Sequence, residues 1–173
     1  MNIAIVGATG NVGRKLLEVL ERTNFEFSEI YLIASDKSVG KKITFKNKNY
    51  SVIGLSDFDF GKVKLAFFSA GSSIAEKWAP IAAKKTIVID NSKYFRMDKE
   101  IPLVVPEVNG EALKAYKNKN IIANANCSTI QLVLALKPLH DQFKIKRVIV
   151  STYQSVSGAG KVHMNELEEQ SKL

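Results

Sequence analysis

Asn2-Ile3-Ala4-Ile5-Val6-Gly7-Ala8-Thr9-Gly10-Asn11-Val12-Gly13 runs from an apolar stretch into a turn with three glycines. Beyond it Val12, Leu16, Leu17 and Leu20 recur at helical spacing, so the opening reads as strand, turn, helix. A second apolar run at residues 30–34 completes a βαβ unit, whose parallel strands need a helical crossover. Residues 42–53 alternate apolar and polar around Asn47-Lys48-Asn49, which predicts a hairpin inserted at the sheet edge with its lysines in water. Runs at 64–69 and 86–89 flank a helical pattern carrying Ile74, Trp78, Ile81 and Ala82, and residues 121–123 add a further strand. The expected class is α/β: a Rossmann-like, doubly wound, mostly parallel sheet over residues 1–125.

The remainder, 126–173, reads differently. Residues 128–139 are apolar on nearly every side, the pattern of a helix buried all round. Residues 147–153 form a β-prone run with no strands after it to pair with, and 164–173 is a polar helical segment. The expectation is the start of a truncated α+β domain.

The chain of 173 residues is 46% hydrophobic, enough for one full core and part of a second. No apolar run reaches the roughly 18 residues of a membrane span, and the amino terminus lacks a basic signal start, so a cytoplasmic location and no membrane partner are expected. One cysteine, Cys127, excludes an intramolecular disulfide and any multi-cysteine metal site. The formal charge of +8 comes mostly from dispersed lysines, and no nucleic-acid motif accompanies it, so a solvated basic surface is expected.

Between a strand and a helix, Gly7, Gly10 and Gly13 let the backbone approach a pyrophosphate while the helix start offers N–H groups. The spacing is G-x-x-G-x-x-G, a variant of the basic dinucleotide fingerprint. After the second strand, Asp36 would suit the ribose hydroxyls of NAD, whereas Ser35, Lys37 and Ser38 would suit the 2′-phosphate of NADP. The residues lean to NADP and leave NAD open. Cys127 stands at the start of the predicted helix 128–139, where the positive end of the macrodipole favours a thiolate; polar neighbours on both sides argue against a merely buried thiol. A thiol beside a dinucleotide fold points to aldehyde oxidation or its reverse: the thiolate adds to an aldehyde, and loss of hydride to a nicotinamide leaves a thioester.

Six motifs in order then resemble the aspartate-semialdehyde dehydrogenase family. They are Gly7 to Gly13, Phe68-Ser69-Ala70-Gly71-Ser72-Ser73, Asp90-Asn91-Ser92-Lys93-Tyr94-Phe95-Arg96, Val104-Val105-Pro106-Glu107-Val108-Asn109, Asn126-Cys127-Ser128-Thr129-Ile130-Gln131 and the run from Ser151-Thr152-Tyr153-Gln154 to Gly160. The resemblance implies NADPH-dependent reduction of aspartyl phosphate to aspartate semialdehyde and phosphate through a Cys127 thioester, toward lysine, threonine and methionine. It also implies that Gln154 orients the substrate, and that Arg96 and Asn126 bind the phosphate. By the same resemblance Thr9, Gly10, Asn11, Val12, Ser35, Lys37, Ser38, Gly71, Ser157 and Gly158 contact the cofactor. Many relatives carry arginine where this chain has Lys37, which cannot make the same bidentate fork.

From the residues alone, Arg96 reads as a surface side chain and Gln154 as a solvent-facing strand position. The family's histidine acid/base and further basic ligands come from a second half, and neither His140 nor His163 falls in a matching motif. The resemblance thus implies the amino-terminal half of a homodimeric enzyme, with 147–153 opening a catalytic and dimerisation domain. Nucleotide binding with poor or no turnover is then expected, and a binding module without turnover is the alternative.

Overall fold

The computed structural model describes residues 1–172, and the chain divides into two compact units, Met1–Ala125 and Asn126–Leu173. In the first, β1 (Ile3–Val6), α1 (Asn11–Arg22) and β2 (Ile30–Ala34) form the opening βαβ unit. A hairpin of β3 (Lys42–Phe45) and β4 (Lys48–Ser51) follows, then β5 (Ile53–Gly54), β6 (Leu65–Phe68), α2 (Ser72–Ala83) and β7 (Ile87–Asp90). The unit closes with β8 (Leu103–Val104), α3 (Pro106–Asn109) and β9 (Ile121–Asn124).

The main sheet has the order β5-β2-β1-β6-β7-β9-β8, and every pairing in it is parallel. Side chains of β1 alternate between two cores, as a strand buried on both faces must. Ala4 and Val6 join Phe60, Phe68 and the small α2 residues Ala75, Ala79 and Ala82. Ile3 and Ile5 join Leu17 and Leu20 of α1 and Ile43 and Phe45 of the hairpin. The doubly wound class expected from sequence is therefore the one observed.

Several local expectations are corrected. The hairpin forms a separate two-stranded sheet, and the sheet edge beside β2 is taken by β5. Its turn is Lys46-Asn47, both at positive φ, which matches the right-handed twist of the flanking strands; its lysines are exposed as predicted. Val12 and Ile81 fit the helical periodicity yet are exposed, because the inner faces of α1 and α2 are built on Gly13, Leu17 and Leu20 and on alanines.

The second unit holds α4 (Cys127–Phe143) and α5 (Lys161–Gln170). The apolar helix expected to be buried all round has no buried residue: Leu139 and Phe143 are exposed, since the described part of this unit holds too little chain to enclose α4. Residues 147–153 are not a strand either. A strand is completed by a ladder partner, and the described residues of this unit contain none, so Ile149 and Tyr153 stand in solvent. The polar segment 164–173 is helical through Gln170, and its last residue lies outside the described residues.

Candidate functional site

In a doubly wound sheet the ligand crevice lies at the carboxyl ends of the strands, where strand order reverses. Here that point lies between β1 and β6, since β2 continues the sheet on one side of β1 and β6 on the other. A cleft of about 320 Å³ opens there, lined by Gly7, Thr9, Gly10, Ala34, Ser35, Ser69 and Ala70 among others. Two turn glycines are sterically required. Gly7 sits at φ +90°, and a β-carbon on it would lie 2.7 Å from the Ser69 carbonyl oxygen. A β-carbon on Gly13 would lie 2.3 Å from the Gly7 carbonyl oxygen, which is how closely α1 approaches the turn.

No side chain caps α1: Gly10 occupies the cap position, and its own N–H closes the turn onto the Gly7 carbonyl at 3.0 Å. Asn11 and Val12 open the helix. A helix start with no side-chain cap among the described residues, bordering a cleft, suits an anion, so these residues fit a dinucleotide pyrophosphate. Ser35 and Lys37 are exposed beyond β2, whereas Ser38 is only 8% exposed in the short 3₁₀ turn Asp36–Ser38. Gly71, at φ +89°, precedes α2 and leaves its start without a side-chain cap.

A second group sits at the ends of β7 and β9. Arg96 is half-buried, correcting its reading as a surface side chain: Nε donates to the Asn124 carbonyl at 2.9 Å and Nη2 to the Asn91 carbonyl at 3.2 Å. Asp90 is fully buried and accepts from the Ser92 N–H (3.1 Å) and hydroxyl (2.6 Å). Burial pushes the Asp90 carboxyl above its ordinary range, opposed by the two Ser92 hydrogen bonds and the Arg96 charge.

In the second unit Cys127 is the first residue of α4 and is exposed. Asn126 is the N-cap; its side-chain oxygen accepts from Ser128 N at 3.0 Å and Thr129 N at 3.3 Å. Gln154 is exposed, and its carbonyl oxygen accepts from the Ser128 hydroxyl at 3.4 Å. The fold thus brings Gln154 to the residue beside Cys127, although 27 positions separate the two in the chain. Ser157 and Gly158 lie in the 3₁₀ turn Val156–Ala159, capped by the Ser155 hydroxyl, and a β-carbon on Gly158 would collide with the Gln154 amide at 2.4 Å. His163 lies 3.4 Å from Glu166 on α5, and among the described residues no cluster of three or more His, Cys, Asp or Glu could hold a metal. Likewise, among them no helix is long and apolar enough to cross a membrane. Sequence reasoning did not single out Ser69, whose hydroxyl and N–H both bond the Val6 carbonyl beside the cleft; its place in the Phe68 to Ser73 motif was the available signal.

Comparison with known proteins bears on both units. The profile described as "Semialdehyde dehydrogenase, NAD binding domain" matches residues 2–116. The chain belongs to the semialdehyde dehydrogenase family. The family's dimerisation domain matches residues 136–173. The aspartate-semialdehyde dehydrogenase of Aquifex aeolicus is 55% identical over 98% of this chain and 51% of its own length. Aspartate semialdehyde dehydrogenase II of Vibrio cholerae, solved in complex with ASA, superposes with a TM-score of 0.94 at 52% identity, covering 98% of this chain and 51% of that one. The Candida albicans enzyme, solved with NADP, is 30% identical with a TM-score of 0.69, over 83% of this chain and 48% of that one. The chain spans about half the length of the relatives it matches, and the resemblance read from the six motifs to the amino-terminal half of aspartate-semialdehyde dehydrogenase holds.

Proposed function

We propose that this chain provides the NADP-binding and nucleophile-bearing half of an aspartate-semialdehyde dehydrogenase. The observation carrying this reading is the convergence at the start of α4: Cys127 exposed in its first turn, Asn126 capping it, and Gln154 hydrogen-bonded to Ser128. Residues 1–125 are the nucleotide-binding domain, and residues 126–173 begin the catalytic and dimerisation domain of a cytoplasmic homodimer. The substrate is L-aspartyl 4-phosphate, and the product feeds lysine, diaminopimelate, threonine and methionine synthesis.

The Cys127 sulfur attacks the acyl carbon, the bond to phosphate breaks, and the aspartyl group is held as a thioester. Arg96 and Asn126 hold the departing phosphate, the guanidinium by its planar array of donors. Gln154 orients the acyl group without exchanging a proton. The chemistry that NADPH supplies when bound is two-electron reduction of that acyl group to the aldehyde. Gly7, Thr9, Gly10, Asn11, Val12 and Gly13 would cradle its pyrophosphate, Ser35, Lys37 and Ser38 its 2′-phosphate, and Gly71, Ser157 and Gly158 its remaining length. The Candida albicans complex with NADP supports that choice of nucleotide.

Mass spectrometry of the protein after incubation with aspartate semialdehyde and NADP, with phosphate left out so that the thioester is not discharged, tests the proposal. The expected result is an acyl adduct on the Cys127 peptide that is absent from Cys127→Ser; an equal adduct in that variant refutes it. A second reading, nucleotide binding without turnover in a chain of this extent, is favoured by the half-length match to the relatives. Steady-state turnover near that of a full-length relative would overturn the second reading.

A further inference from the structure

Arg96 is held in an unusual way for a half-buried cation. Among the described residues it has no ion-pair partner; its two hydrogen bonds go to main-chain carbonyls, Nε to Asn124 and Nη2 to Asn91. A guanidinium has five N–H donors, so three remain for a further acceptor. Carbonyls fix the plane of the group without neutralising its charge. An anion is the acceptor that such a group favours.

The two carbonyls lie at the ends of neighbouring strands, that of Asn124 on the last residue of β9 and that of Asn91 just past β7. Asp90 pairs with Ala123 in the parallel register of β7 and β9, so the next residues, Asn91 and Asn124, stand side by side where both strands end. There the Asn124 side-chain amide donates to the Asn91 side-chain oxygen at 2.7 Å. This amide clasp ties the two chain ends together beyond the last rung of the ladder, and with them the spacing of the carbonyls that grip Arg96. The turn between Asn91 and Arg96 is built separately: Asp90 holds Ser92, and the Ser92 hydroxyl accepts from the Tyr94 N–H at 3.1 Å.

We infer that Asn91 and Asn124 are positioning residues that act as one unit, their side-chain amide clasp setting the Arg96 guanidinium for a phosphate group. This rests on the proposed role of Arg96 in holding phosphate. Without the clasp the strand ends can spread, and Arg96 loses one of its two anchors while the nucleotide cleft between β1 and β6 is untouched. Loss of phosphate affinity without loss of NADP affinity follows.

The test uses the 173-residue chain: calorimetric titration with inorganic phosphate and with NADP gives the affinities of every variant, and the Arg96 Nε–H resonance reports the guanidinium by NMR wherever Arg96 is present. Wild type should show slow solvent exchange of Nε–H and a saturable shift with phosphate. Asn124→Ala and Asn91→Ala should each weaken phosphate binding about 5- to 20-fold, equivalent to ~1–1.8 kcal/mol. Their NADP affinity should stay within about twofold, and the double variant should bind phosphate no worse than either single one, as coupled residues require. Arg96→Ala separates the two ideas. If it abolishes phosphate binding while both asparagine variants bind like wild type, the positioning inference fails and the role of Arg96 stands. If Arg96→Ala binds phosphate like wild type, or the Arg96 resonance does not respond to phosphate at all, both fail. Additive losses in the double variant, or parallel loss of NADP binding, also overturn the inference.

Discussion

Replacing Gly13 with alanine tests the packing that brings α1 against the turn at Gly7. The new β-carbon would meet the Gly7 carbonyl oxygen at 2.3 Å, the Ala8 α-carbon at 2.8 Å and the Gly7 carbonyl carbon at 2.9 Å. Ordinary contacts lie near 3.5–4.0 Å, so α1 must withdraw by roughly 1 Å. All three opposing atoms are main chain, and no flexible side chain can move aside, so the cost sits at the upper end of overpacking, about 3 kcal/mol. Alanine gains back up to about 1 kcal/mol over glycine in a helix. The net loss is ~2 kcal/mol, or roughly 6–10 °C in Tm for a unit of this size.

Trp78, the sole tryptophan, packs against the core of the first unit, so its fluorescence during urea unfolding reads that unit directly. Gly10→Ala is the control: its β-carbon would meet nothing closer than 3.3 Å, and it should cost no more than about 0.7 kcal/mol. A Gly13→Ala stability within ~0.5 kcal/mol of wild type, or equal to that of Gly10→Ala, would refute the packing argument.

Asn126→Ala removes the cap of α4 and should cost about 1 kcal/mol of helix stability, seen as reduced ellipticity at 222 nm, while Asn126→Asp, which keeps the capping oxygen, should lose little. Thr86 carries the buried hydroxyl with no hydrogen-bond partner among the described residues; Thr86→Val should raise stability by about 1 kcal/mol in urea titration, and a decrease would mean that the hydroxyl is satisfied in solution. Asp90 predicts a pH dependence of definite sign. Its carboxyl is raised in the folded state, so folding favours the protonated form, and this contribution is lost as pH climbs from the ordinary aspartate range through the raised value. The stability of wild type minus that of Asp90→Asn should therefore fall with rising pH across the acid range; a difference that grows contradicts the assignment.

The sequence by itself determined the order and type of the central elements, because the apolar runs of β1, β2, β6, β7 and β9 and the glycine turn are local signals. It also placed Cys127 at a helix start, whereas the cap that Asn126 makes there came from the structure. What it could not determine depends on partners distant in the chain. The two-residue strands β5 and β8 have too little length for any periodicity, and only the neighbouring strands β2 and β9 define them. Residues 147–153 have the composition of a strand and no ladder to join among the described residues, so propensity alone did not make them one. The same nonlocality explains Arg96. In sequence it is a basic residue after a strand, and only the side-by-side ends of β7 and β9 supply the two carbonyls and the amide clasp that hold it. A hydrophobic period names the face of a helix or strand, whereas the geometry of a polar site is set by which chain ends the sheet brings together.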